Sequence, residues 1–363
     1  MLMNNKIMLN VSKNYRERLL KIYNNINPDP KKEYSDTVLI IDGTNSYIRT
    51  LAVVPEFNDN NIHYGGVIGF IRSLGYQLKL FNPFKCIVVF DGKNGSQWRK
   101  KLYSDYKENR KNNKITIGGI TENLSDIQAQ ELMKFEFNRL IHYLDCLPIN
   151  IVSLDNIEAD DTISYITNDF YKTNKIVISS SDKDFFQLIN NRVSVFNPIT
   201  KITYKPNDIL DRFNVYPFNY LLLRLFDGDP SDNITGIKGI GIKSVLKNYP
   251  FLIENKQYKL DDLIEYSEQN KLLNFHKKVL ENKDKLYLFY EIMTLSENLF
   301  PSIHKIKIRD LIYRKLDMLD TVQFKRLLNE DLIFRSFNNI DTWFMNNFTS
   351  LNAQVLRERK KHI

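Results

Sequence analysis

Nine carboxylates stand in five short motifs whose residue types suit phosphate chemistry. Asp42 ends the apolar run of LIIDGTN and Asp91 that of VVFDGK; Glu158, Asp160 and Asp161 share IEADDTI, Asp182 and Asp184 share SSSDKDF, and Asp229 and Asp232 lie in GDPSDN. Gathered in a partly desolvated cleft, these groups would repel one another by several kcal/mol unless cations neutralised them. The motifs contain no His or Cys, and a hard oxygen set of this kind selects Mg²⁺ or Mn²⁺ over zinc. Mg²⁺ keeps several waters and borrows only one or two carboxylates, so the surplus of acids predicts two ions with partly water-mediated ligation. In an extended stretch Asp182 and Asp184 point the same way, while Glu158 and Asp161 share a helix face and Asp160 needs the first turn or the preceding loop to join them. Each motif alone has a plainer reading: Asp42 as a helix N-cap, Asp229 and Asp232 as turn residues around Pro230.

The elements that must position these acids are readable as short β-branched runs, Thr37 to Ile41, Cys86 to Phe90 and Lys175 to Ile178, each shortly followed by an acid. Helical stretches, Gly66 to Phe81 and Gln128 to Tyr143, lie between them. Strands alternating with helices predict an α/β fold with a mostly parallel central sheet flanked by helices, whose functional edge is the carboxyl end of the strands. From Pro206 the chain reads as mostly helical, with a Gly-punctuated hairpin, GIKGIGIKSVLKNY, from Gly236 to Tyr249. That hairpin is no P-loop, because Ile242 separates Gly241 from Lys243 and Ser244.

The charge balance points to a polyanionic partner. The 363 residues carry 51 Lys and Arg against 43 Asp and Glu, and setting the nine acids aside leaves a surplus of 17 positive charges. Residues 93 to 114 hold eight basic and two acidic residues with Trp98, Tyr103 and Tyr106 interleaved, and read as a mobile cationic crossing segment. Its two tyrosines either stack an unpaired base or pack on neighbouring helices. Two cysteines, Cys86 and Cys146, build no disulfide framework, and no apolar run reaches a membrane span. A reducing compartment is expected, with no membrane.

These motifs, in this order, resemble the 5′ nuclease superfamily of flap endonucleases and 5′ to 3′ exonucleases, and in particular its bacteriophage branch of the T-even ribonuclease H type. IVVFDGKNGSQWRKKLYSDYKENR, IEADD, SSSDKDFFQL and LFDGDPSDNITGIKGIG carry the resemblance over about residues 37 to 250. It implies a PIN-like nuclease domain over 36–205 with a helical arch at about 93–127, and a helix-hairpin-helix duplex-binding region over 206–255. An N-terminal extension, 1–35, and a helical region, 256–363, fall outside it. All nine carboxylates match the family's acidic positions, Lys107 and Arg110 match arch-base residues that contact the scissile phosphate, and Arg49 matches an arginine near the active site. Tyr106, Arg99, Lys100, Gly236, Lys238, Gly239, Gly241, Lys243 and Ser244 are expected on the DNA side, with a potassium ion held by main-chain carbonyls of the hairpin.

The expected activity is a Mg²⁺-dependent, structure-specific 5′ nuclease with ribonuclease H-like primer removal, a monomer acting on branched or nicked DNA and RNA–DNA hybrids in the cytoplasm of a bacterial or phage-infected cell. A sliding clamp or single-stranded DNA-binding protein is a further expected partner. The rival readings are a catalytically silent branched-DNA-binding protein and a phosphatase, the latter disfavoured because Thr44 stands where Asp-x-Asp chemistry wants its second acid.

Overall fold

The computed structural model describes residues 35–112, 116–118, 125–295 and 300–360. The N-terminal extension, apart from Tyr34's neighbour Ser35, and parts of the expected arch lie outside them.

Apolar runs buried on both faces make a parallel sheet, and this chain has one. Strands β1 (Thr37–Asp42), β2 (Lys85–Asp91), β3 (Asn150–Leu154), β4 (Lys175–Ser179), β5 (Val193–Asn197) and β6 (Ile202–Tyr204) form a six-stranded sheet in the order β3-β2-β1-β4-β5-β6, parallel except for β6. Successive side chains point to opposite faces. Leu39, Ile41, Val88 and Phe90 therefore enter one core, while Val38, Ile40, Ile87 and Val89 enter the other. Helices α1 (Gly43–Val53), α2 (Gly65–Phe81) and α4 (Asp126–Asp145) contribute to the first core, and α5 (Ala159–Tyr165) contributes to the second. The short α3 (Gln97–Leu102) precedes a 3₁₀ turn at Glu108–Asn112. The order of strands reverses direction between β1 and β4, so Asp42 and Asp182 flank the switch point where open α/β sheets bind ligands.

Beyond the sheet come α6 (Pro206–Phe213), α7 (Pro217–Asp227), the two-residue strands β7 (Gly228–Asp229) and β8 (Ile234–Thr235), α8 (Ile242–Asn248), α9 (Leu260–Gln269), α10 (Asn274–Glu281) and α11 (Lys283–Met293). One apolar cluster runs from Val215 to Met293 and takes in Tyr106. Packing therefore does not respect the boundary expected at 255, because α9 to α11 complete the core that α7 and α8 begin. The last three helices, α12 (Ser302–Tyr313), α13 (Thr321–Glu330) and α14 (Ile340–Lys360), return to the sheet domain. Ile308 and Ile312 of α12 join the second core, and Phe324, Phe344 and Phe348 of α13 and α14 join the first. The Trp343 indole lies where a Cβ on Gly75 would be only 2.7 Å away, so α2 is glycine there to admit it. No helix among the described residues is long and apolar enough to cross a membrane.

Phe324 is fully buried and meets Tyr143 edge-on at 5.0 Å and Phe344 at 5.2 Å. Phe324→Ala is expected to lower unfolding free energy by about 3–5 kcal/mol in urea titration of the whole chain. A loss near zero would mean that α13 is not part of the cooperative unit.

Candidate active site

The carboxyl ends of β1, β2 and β4 and the start of α5 surround a cleft of about 320 Å³ lined by Asp42, Asp91, Glu158, Asp160 and Asp182, with Arg49, Lys107 and Arg110 among its other walls. The route from sequence to this cluster is local. Gly43 lets α1 start against β2, since a Cβ there would sit 2.7 Å from the Phe90 ring. Asp42 then caps α1, accepting from the Asn45 N–H at 3.0 Å, while its other oxygen accepts from the Ser180 hydroxyl at 2.8 Å. The N-cap reading and the cleft reading of Asp42 hold together. Asp91 accepts from the Ala159 N–H at 2.7 Å, fastening β2 to the start of α5. Glu158 is the N-cap residue of α5, and Asp160 and Asp161 fall in its first turn.

Four of the nine acids are absent from the cleft wall. Asp161 is fully buried, and both of its oxygens accept from the Arg99 guanidinium at 2.7 Å. Although one oxygen each of Glu158, Asp160 and Asp161 lies within 4.8 Å of the others, Asp161 faces Arg99 and is absent from the cleft wall. Asp229, 8 % exposed, accepts from Arg224 at 2.7 Å and from the Ser231 N–H and hydroxyl. Asp184 is not in an extended stretch with Asp182: it opens a 3₁₀ turn, donates its N–H to Asp182, and lies 3.5 Å from Arg224. Asp232 stands between the two groups, bonded to Arg110 at 2.5 Å and to the Tyr106 hydroxyl at 3.0 Å. The nine acids thus split into five cleft residues and a second set, Asp184, Asp229 and Asp232, beside it, with Asp161 behind.

Arg99 and Tyr106 correct the expected DNA contacts. Each is 1 % exposed. Arg99 donates to Glu158 at 2.6 Å, to Asp161 and to the Ile292 carbonyl, and cannot reach a duplex. Burial works against its charge, but Asp160, Asp161 and Glu158 outweigh it and hold the guanidinium protonated. Tyr106 packs in the core of α7 to α11, which decides between stacking and packing in favour of packing. Lys100, Lys238, Gly239, Gly241 and Lys243 are exposed, with Gly236 and Ser244 half-buried.

Lys107 has φ +56°, a left-handed conformation that a non-glycine residue adopts at a cost, and its N–H donates to the Asp232 carbonyl at 2.9 Å. This turn aims its ammonium at Glu158. Asn109 and Arg110 bond the carbonyls of Pro230 and Ser231, so the cationic segment is clamped on the 228–233 turn. Burial disfavours the Lys107 charge, yet Glu158, Asp232 and Asp160 raise its pKa. Arg49 differs: its half-buried guanidinium has Nε and Nη2 without hydrogen-bond partners, and burial lowers its pKa. Sequence reasoning missed Arg224, the cation that holds Asp184 and Asp229, and missed Asn45 and Ser180. An arginine one helical turn before the Gly-Asp run was the signal for the first.

The donor set fits divalent cations. Five carboxylates line one cleft, an all-oxygen set of the kind that hard divalent ions take. Burial pushes Asp42 up to about 7, with the Asn45 N–H and Ser180 opposing and Asp91 and Asp182 adding. Burial likewise pushes Asp182 up to about 6, opposed by the Asp184 N–H and reinforced by Asp160, Asp232 and Asp229. Asp42, Asp91, Glu158, Asp160 and Asp182 are the residues that would hold a divalent ion.

Folded values above the ordinary carboxylate value mean that the folded protein takes up these protons more readily than the unfolded chain. The stability they contribute is full below about pH 4 and is lost as pH rises through about 6 to 7. Asp182→Asn is therefore expected to raise the thermal midpoint of the metal-free protein relative to the parent near neutral pH and not at about pH 4, by scanning calorimetry in chelator. Mg²⁺ should close the gap by raising the parent. A variant destabilised equally at both pH values would contradict this electrostatic account.

Comparison with known proteins agrees with the geometry. Residues 37–214 match the family described as the 5′-3′ exonuclease N-terminal resolvase-like domain. The chain is 29 % identical over 313 residues to a 5′-3′ exonuclease of Aquifex aeolicus, covering 82 % of this chain and 96 % of that one. It is 31 % identical over 236 residues to the flap endonuclease Xni of Shewanella denitrificans, covering 63 % of this chain and 83 % of the relative. Its fold is similar to that of the bacteriophage T5 flap endonuclease crystallised with DNA and metal ions, with TM-score 0.55, 19 % identity, and coverage of 81 % and 99 % of the two chains. The mostly parallel sheet, the ordered acids at its carboxyl edge and these matches place the chain in the 5′-3′ exonuclease family of 5′ nucleases.

Proposed function

We propose that this protein is a divalent-metal-dependent, structure-specific 5′ nuclease that hydrolyses phosphodiesters where single strand meets duplex, removing flaps and RNA primers during replication and repair. The observation that carries the reading is the cleft itself: five carboxylates at a sheet edge, with Arg49, Lys107 and Arg110 facing the same space. Family membership adds the substrate class, and the surplus of positive charge elsewhere on the chain suits a polyanion.

A pair of Mg²⁺ or Mn²⁺ ions supplies an activated water at neutral pH and relief of charge on the phosphate. The chain's own residues do the rest. Asp42, Asp91, Glu158, Asp160 and Asp182 hold the cations, with Asp42 fixed by Asn45 and Ser180 and Glu158 fixed by Arg99. Lys107 and Arg110 now bond Glu158 and Asp232. Both also border the cleft, where they would meet the phosphate, the guanidinium as a planar fork and the ammonium as a point charge. Arg49 offers its two unpartnered nitrogens to the same anion. Tyr106 and Arg99 act as positioning residues, holding Asp232 and Glu158 from behind. No side-chain nucleophile is required.

A 5′-labelled flap duplex with Mg²⁺ or Mn²⁺ tests the reading, and cleavage near the junction is expected. Asp182→Asn should lose turnover by at least about a hundredfold, since even outer-shell partners of a metal cost roughly 10- to 100-fold, while DNA binding persists. An intact flap with bound protein would instead mark a catalytically silent DNA-binding protein.

A further inference from the structure

The turn from Thr235 to Gly239 does not fit the potassium ion expected there, because three of its oxygens already meet lysine ammoniums and the Ile237 carbonyl accepts from the Ile240 N–H. The Lys278 ammonium of α10 donates to the Lys238 carbonyl, and the Lys285 ammonium of α11 donates to the Thr235 hydroxyl at 2.9 Å and the Gly236 carbonyl at 3.3 Å. A Cβ placed on Gly239, at φ +78°, would lie 3.2 Å from the Lys278 Nζ. Neither ammonium forms an ion pair with a carboxylate among the described residues, and Lys285 also lies over the Phe289 ring at 5.3 Å. Two half-buried lysines from helices 40 and 49 residues downstream thus converge on one five-residue turn.

We infer that Lys278 and Lys285 replace the monovalent cation of this turn, so that its grip on nucleic acid is independent of potassium. An ammonium donates hydrogen bonds to carbonyl oxygens and carries the single charge that a bound K⁺ would carry. It also stays attached, so the positive charge beneath the turn does not depend on the ionic composition of the medium. The turn is held for this purpose. Gly236 presses on the end of α7, where a Cβ would meet the Phe226 carbonyl at 2.1 Å, and the Ile237 N–H donates to that carbonyl at 3.0 Å. Lys238 and Gly239 remain exposed on the outer side. The packing of α10 and α11 in the same core as α7 and α8 fixes the distance that the two lysines must span. The inference rests on the reading of this region as a duplex-binding element.

The experiment is fluorescence anisotropy of a labelled overhang duplex with the full chain, in Ca²⁺ to hold off cleavage, in chloride salts of potassium, sodium and tetramethylammonium at one ionic strength. The parent protein is expected to bind equally in all three, within about twofold. The Lys278→Met/Lys285→Met double variant, and each single variant as a milder case, should bind roughly tenfold more weakly in tetramethylammonium and regain affinity in potassium. Parent binding that rises specifically with potassium overturns the inference without touching the nuclease reading. So does a variant that weakens equally in every salt, which makes the lysines ordinary phosphate contacts. No binding by the parent in any salt defeats the duplex-binding reading itself.

Discussion

Like charges can be gathered at one sheet edge only if opposite charge is built in behind them. In this protein that charge is Arg99, fully buried and shared between Glu158 and Asp161. Removing a buried guanidinium from such a pair would leave two carboxylates desolvated and unpaired, which is far costlier than never having buried them. Arg224 repeats the arrangement one shell away with Asp184 and Asp229. The acids therefore divide by counter-charge. Asp161, Asp184 and Asp229, held by internal arginines, stand outside the cleft wall, whereas Asp42, Asp91, Asp160 and Asp182 line it with no arginine hydrogen-bonded to them, and Glu158 lines it with one oxygen on Arg99 and the other on Lys107.

The same division explains what the sequence could tell. Strands β1, β2 and β4 were legible because a β-branched run followed by an acid is a local pattern, and their carboxyl edge follows from parallel topology. The convergence of Asp42, Asp91, Glu158, Asp160 and Asp182 follows in turn. Which acid faces inward is not local. Asp160 and Asp161 are adjacent and chemically identical, and only the helical rotation between them sends one to the cleft and the other to Arg99. Arg99 sits in a run of basic residues indistinguishable by composition from its exposed neighbour Lys100. Its burial depends on the Ile292 carbonyl, 193 residues away. The 3₁₀ turn at Asp184 likewise overrides the extended geometry that a two-residue spacing suggests.

The turn at 235–239 was legible as a turn from its glycines, but its cations were not. Lys278 and Lys285 belong to helices with no motif, and nothing near them in the chain announces a carbonyl partner. The clamp between 105–110 and 228–233 is similar: the cationic segment and the Gly-Asp turn are both visible as motifs, but their docking through Asn109, Arg110 and Lys107 is a property of the folded chain alone.

Asp331, between α13 and α14, accepts hydrogen bonds from Tyr64 and Tyr143, 267 and 188 residues earlier. The outer face formed by the start of α2 and by α4 is thus finished by residues made long after it. During synthesis the sheet and its acidic edge can assemble while that face still lies open, its tyrosines unbonded and its glycine groove at Gly75 waiting for Trp343. A nascent chain of this protein must therefore carry that greasy flank uncovered until α13 and α14 have emerged to close it.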